Sequence, residues 1–114
     1  MAPKVVLVTG ANTGIGYETV KAFLQSPNSY RVYLGSRSLE KGKEALQKLQ
    51  SEAPNTSNTI EVVQIDVSSD ESIQKAFETI EKGSGKLDVL INNAGKFEHS
   101  YWVYSFLTYL RCGL

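Results

Sequence analysis

The sequence predicts an α/β fold, a doubly wound parallel sheet of four strands in the order 3-2-1-4 with three helices. Three observations carry this. Strand-like stretches recur at 5–8, 30–34, 60–65 and 87–92, the first a short apolar run rich in β-branched residues. Stretches with helical apolar spacing lie between them. A turn carrying Gly10, Gly14 and Gly16 joins the first run to the first helical stretch. Strands that alternate with helices imply right-handed βαβ crossovers and so a parallel sheet.

The first strand, 5–8, is an unbroken apolar run, as suits a strand buried on both faces. A strand that turns through glycines into a helix makes an anion site. The first N–H groups of the helix lack intrahelical partners, and the macrodipole adds partial positive charge. Glycines let the backbone approach a diphosphate without a Cβ in the way.

The first helix runs from 15 to about 25, with Ile15, Thr19, Ala22 and Phe23 as its apolar stripe. Ser26, Pro27, Asn28 and Ser29 end it. Strand 30–34 leads into Ser36 and Arg37, and Ser38 is the expected N-cap of the second helix, 39 to about 50. Leu39, Leu46 and Leu49 mark its buried stripe, with Gly42 on the same side, where a close helix–sheet approach would account for it. Glu44 and Lys48 pair on the wet face. Residues 51–59 read as a surface loop.

The third strand is 60–65. Ser68 to Glu71 has the Ser-x-x-Glu form of a capping box, and the helix behind it buries Ile73, Ala76, Phe77 and Ile80. Gly83 and Gly85 signal its end, and 87–92 forms the fourth strand. In the order 3-2-1-4 the first and fourth strands meet at the switch point, so the rim outside their carboxyl ends is the expected ligand site.

At 114 residues one domain is the ceiling. An apolar fraction of 41% with zero net charge fits a globular chain and gives no reason to expect nucleic acid or an anionic membrane as partner. No apolar run approaches the roughly 20 residues of a membrane span. The N-terminus runs straight into a strand, so no signal peptide is expected and a cytoplasmic location is the default. Cys112 and His99 are the only cysteine and histidine, so no metal site is expected.

The glycine turn reads Thr9-Gly10-Ala11-Asn12-Thr13-Gly14-Ile15-Gly16. In this the chain resembles the short-chain dehydrogenase/reductase family, in its carbonyl-reductase-like branch. Asn92-Asn93-Ala94-Gly95 after the fourth strand is a second match, and Asp66-Val67 after the third is in register with both. The resemblance spans residues 4 to about 95. It implies a Rossmann-type half-domain at 1–95 that holds a dinucleotide through Gly10, Asn12, Thr13, Gly14, Ile15, Gly16, Ser36, Arg37, Asp66, Val67, Asn92, Asn93, Ala94 and Gly95.

Ser36 stands where the family usually has an acidic residue for the ribose 2′-hydroxyl. Arg37 offers a planar guanidinium suited to a 2′-phosphate, so NADP(H) is expected over NAD(H). The plainer reading of Arg37 is a solvated surface arginine. Asp66 is implied to meet the adenine amino group; its plainer reading is a helix-entry aspartate bonded to local N–H groups.

Family catalysis rests on Tyr-x-x-x-Lys behind an upstream serine and a further asparagine. Tyr17 and Lys21 match the letters but lie in the first helix. Tyr101, Tyr104 and Tyr109 have Ser105, Thr108 and Gly113 at that offset, and no lysine follows Lys96. No catalytic residue is assigned. Two readings follow. In one the chain represents an NADP(H)-dependent oxidoreductase acting on a small carbonyl or alcohol, the substrate being met only in a longer product. In the other it is a non-catalytic cofactor-binding fragment or interaction module. Its fourth strand would leave one apolar edge open, which makes the isolated chain marginally stable and self-association an expectation.

Residues 96–114 depart from the family pattern and carry Phe97, Tyr101, Trp102, Tyr104, Phe106 and Tyr109. Such a segment would either patch the open sheet edge, dock a partner, or be translated non-coding sequence, which is the favoured reading. Gly95-Lys96-Phe97 can be encoded by GGT-AAG-TTT, which contains a splice-donor-like GTAAGT, and codons for 107–111 can supply a branch point and an acceptor.

Overall fold

The computed structural model describes residues 3–93. The expectations for Ala94, Gly95 and the aromatic segment 96–114 lie outside the described residues.

The elements run β1 (Lys4–Val8), α1 (Gly14–Gln25), β2 (Tyr30–Ser36), α2 (Leu39–Glu52), β3 (Thr59–Gln64), α3 (Asp70–Ser84) and β4 (Val89–Ile91). All strand pairs are parallel and the sheet order is β3-β2-β1-β4, as expected. Val6 is in register with Val32 on one side and Val89 on the other.

The pleat sends alternate residues to opposite faces, and two apolar layers result. Val5, Leu7, Tyr33, Val63 and Ile65 pack against Ile73, Ala76, Phe77 and Ile80 of α3. Val6, Val8, Val32 and Leu34 pack against α1 and α2 through Val20, Leu24, Ala45 and Leu49. The apolar runs at 5–8 of β1 and 32–34 of β2 therefore serve both faces of one sheet.

Three local expectations are corrected. Helix α1 buries Gly16, Tyr17, Val20 and Leu24, and Ile15 is 78% exposed. Of the expected stripe only Phe23 packs against the core, and Ile15 and Ala22 are exposed, because the helix closes on the sheet through a glycine. Helix α2 likewise buries Gly42, Ala45 and Leu49 and leaves Leu39 exposed. A Cβ at Gly42 would stand 2.7 Å from Val62 Cγ1 and 3.2 Å from Ser36 Cβ, which is the close approach expected there. The N-cap of α3 is Ser69, whose hydroxyl accepts from the Ser72 amide, one residue later than the box placed it. Ser68 instead donates its hydroxyl to Asp66 Oδ1 at 2.6 Å.

The other caps follow the sequence. Ser38 accepts from the Lys41 amide at the head of α2, and Gly85 closes α3 with φ of 73°. The stretch read as a surface loop holds two buried residues, Ala53 in the α1–α2 layer and Asn58. The Asn58 amide bridges the end of α1 to the start of β2, donating to Phe23 O at 2.8 Å and accepting from Tyr30 N at 3.0 Å.

Candidate cofactor site

The rim is built from the carboxyl ends of the strands. Gly10 and Gly14 take φ of 59° and 63°, which side chains with a Cβ resist. With them the chain leaves β1, crosses the rim and enters α1 within five residues. The Ala11 amide donates to Gly35 O at 2.8 Å, which ties the turn to β2.

Gly16 meets a different need. A Cβ there would fall 2.5 Å from Gly10 O and 2.6 Å from Asn93 Nδ2. Through that space Asn93 Nδ2 donates to Gly10 O at 3.1 Å. Fully buried Thr9 completes the lock. Its hydroxyl donates to Asn92 Oδ1 at 3.1 Å and accepts from the Asn93 amide at 3.0 Å. The sequence reading assigned both asparagines but not Thr9 as a site residue. A hydroxyl at a strand end beside an Asn-Asn pair was the available signal.

Helix α1 opens without a cap. Thr13 makes no side-chain capping bond and the first turn holds no acidic residue. Helices α2 and α3 both have a capping serine and an acidic first turn. Asn12, Thr13, Gly14 and Ile15 are half-buried or exposed, so the free end of α1 faces outward at the rim.

Ser36 and Arg37 stand at the end of β2, on the same rim. Ser36 is buried and its hydroxyl donates to Ser38 O at 2.8 Å. The Arg37 side chain is exposed, and among the described residues it has no ion pair. Its carbonyl accepts from Gln64 Nε2 at 3.3 Å. Asp66 Oδ1 accepts from the amide and the hydroxyl of Ser68, and Val67 is half-buried against the α3 layer. The local bonding of Asp66 matches the plainer of its two sequence readings. The structure thus gathers Gly10 to Gly16, Ser36, Arg37, Asp66, Val67, Asn92 and Asn93 along the strand ends.

Tyr17 and Lys21 do not belong to this rim. Tyr17 is 5% exposed and its hydroxyl donates to Glu52 Oε1 at the end of α2. Burial pushes its pKa well above the ordinary phenol value, and the Glu52 hydrogen bond and charge add to that. A tyrosine that is to exchange a proton near neutral pH needs the opposite shift. Among the described residues no group of three or more His, Cys, Asp or Glu gathers to hold a metal, and no helix is long and apolar enough to cross a membrane.

Comparison with known proteins agrees with this geometry. The short chain dehydrogenase family profile matches residues 4–106, a span that ends beyond Gly95. The short-chain dehydrogenase/reductase tropE of Talaromyces stipitatus is 46% identical over 92 residues, covering 81% of this chain and 35% of that protein. The menthone neomenthol reductase of Mentha piperita superposes with a TM-score of 0.76 at 29% identity, covering 96% of this chain and 40% of that one. The L-sorbose reductase of Gluconobacter frateurii, complexed with NADPH and L-sorbose, has a TM-score of 0.73 over 99% of this chain and 46% of that one; at 23% identity it attests the fold alone. The chain spans about a third of the length of the curated relatives it matches. With the glycine turn, the Asn92–Asn93 lock and the 3-2-1-4 sheet, these matches mean that the chain belongs to the short chain dehydrogenase family.

Proposed function

We propose that this chain binds NADP(H) in preference to NAD(H), as the cofactor half of an oxidoreductase acting on a small carbonyl or alcohol. The observation that carries the reading is the uncapped N-terminus of α1 at the rim between β1 and β4. Its free amides suit a diphosphate, and Gly14 has open space where a Cβ would sit. Arg37 is exposed at the next strand end and suits the 2′-phosphate. Bound there, the nicotinamide would supply the carbon that gives or takes hydride. Asp66 and Val67 would flank the adenine, and Asn92 to Gly95 the nicotinamide-side ribose.

On this reading the chain alone holds cofactor and turns nothing over, since it carries no Tyr-x-x-x-Lys outside α1. Self-association through the open edge of β4 belongs to the same reading, because among the described residues no strand pairs on that side. Fluorescence titration of the chain with NADPH and NADH, followed by NADPH oxidation with a panel of aldehydes and ketones, tests it. Tight NADPH binding without turnover is expected. Equal affinity for the two cofactors would overturn the preference, and turnover would overturn the inactive half.

A further inference from the structure

We infer that Tyr17, anchored on Glu52, is a positioning residue that holds the first turn of α1 where its free amides meet a diphosphate. This rests on the dinucleotide reading above and assigns a role to a contact outside the rim.

A helix start that binds an anion cannot also be capped by its own side chain, because the cap would occupy the amides the ligand needs. The first turn of α1 is accordingly weak on its own. It has no side-chain cap and no acidic residue, Gly14 is at positive φ, and the Tyr17 amide reaches Thr13 O only at 3.4 Å. That is long beside the ordinary ~2.9–3.0 Å of an N–H···O bond. The turn must therefore be held by tertiary contacts. Before the glycines, Gly10 and Ala11 are held by Asn93 and Gly35. After them, Tyr17 is the first residue with a side chain, and it is buried.

The Tyr17 hydroxyl donates to one oxygen of the Glu52 carboxylate, and Lys21 Nζ lies 3.3 Å from the other. Lys48 Nζ stands 5.0 Å above the Tyr17 ring. An i,i+4 pair on α1 thus meets an i,i+4 pair on α2, with the Glu52 carboxylate held by the Tyr17 hydroxyl and Lys21 and the Lys48 cation over the Tyr17 ring. The Tyr17 hydrogen bond, helped by Lys21 and Lys48, keeps Glu52 below the ordinary carboxylate range, so the bond is to a charged acceptor and is among the stronger kind. Helix α2 is itself fixed at its head beside Arg37 by the Ser38 cap. The strut therefore sets the glycine turn against α2, the helix whose head follows Arg37.

The test compares two ligands on the 114-residue chain. NADPH spans the turn and Arg37, whereas adenosine 2′-monophosphate reaches only the Arg37 end and has no diphosphate. Tyr17→Phe should raise the NADPH dissociation constant about fivefold and leave that of adenosine 2′-monophosphate unchanged. Glu52→Ala, at a residue whose side chain is 34% exposed, should do the same and supplies the reading if Tyr17→Phe does not fold. The double variant should be no weaker than the weaker single one. An equal loss for both ligands would mean general destabilisation and overturn the positioning role, as would NADPH affinity unchanged in both variants. Failure of the unaltered chain to bind NADPH would instead overturn the dinucleotide reading, and this inference with it.

Discussion

The side-chain amide of Asn93 reaches the carbonyl oxygen of Gly10 at 3.1 Å through the space where Gly16 has no Cβ. One contact thereby joins the end of β4, the end of β1 and the start of α1. Gly16→Ala gains helix propensity but forces a methyl against Gly10 O and Asn93 Nδ2. A net loss of about 1–3 kcal/mol is expected. A urea midpoint equal to that of the parent, at the same slope, would contradict this.

Gly83 is governed by Tyr33. It lies within α3, where Ala would be favoured by about 1 kcal/mol on propensity alone. Its Cβ would meet the hydroxyl of fully buried Tyr33 at 2.7 Å, and that hydroxyl is hydrogen-bonded to Ser84 Oγ at 2.8 Å. Gly83→Ala should therefore destabilise the parent. In a Tyr33→Phe background the nearest ring carbon is 3.9 Å away, and the same substitution should become neutral or stabilising. Thermal melts of the four proteins would show a coupling of about 1 kcal/mol or more; additive effects would refute it.

Asp88 sets an acid limit. Its carboxylate accepts from the Val5 amide at 2.8 Å, and Lys86 Nζ lies 3.0 Å away. The amide bond, then the lysine, holds its pKa below the ordinary value. The resulting stability is complete above the unfolded pKa of about 3.9 and is lost as pH falls through the lower folded value. The side chain is one-third exposed, so the contribution is under about 1 kcal/mol. Asp88→Asn should melt lower at neutral pH and approach the parent in acid. A constant gap from pH 7 to pH 2 would count against it.

Arg37 decides between cofactors if the proposed function holds. Arg37→Ala removes a charge-assisted phosphate contact and should weaken NADPH binding about tenfold or more, with NADH unaffected. Calorimetric titration of both cofactors measures this. Parallel losses for the two would show that Arg37 does not read the 2′-phosphate.

The sequence by itself determined the element order, the parallel sheet and the place of the rim. The unbroken apolar run at 5–8, helical spacing and the glycine turn are local signals, and each belongs to a contiguous stretch of chain. The buried stripe of α3 and the caps at Ser38 and Gly85 were legible for the same reason. Only the tertiary structure decided which face of α1 turns inward and that Leu39 of α2 is left exposed. Helix α1 approaches through Gly16, and a residue without a side chain leaves no mark in an apolar pattern, whereas Gly42 was legible beside Leu46 and Leu49. Thr9, Tyr17 and Glu52 also took their roles from partners 83, 84 and 35 residues distant. Such pairings arise when the sheet closes and the helices dock. They depend on distances that no single stretch of the chain encodes.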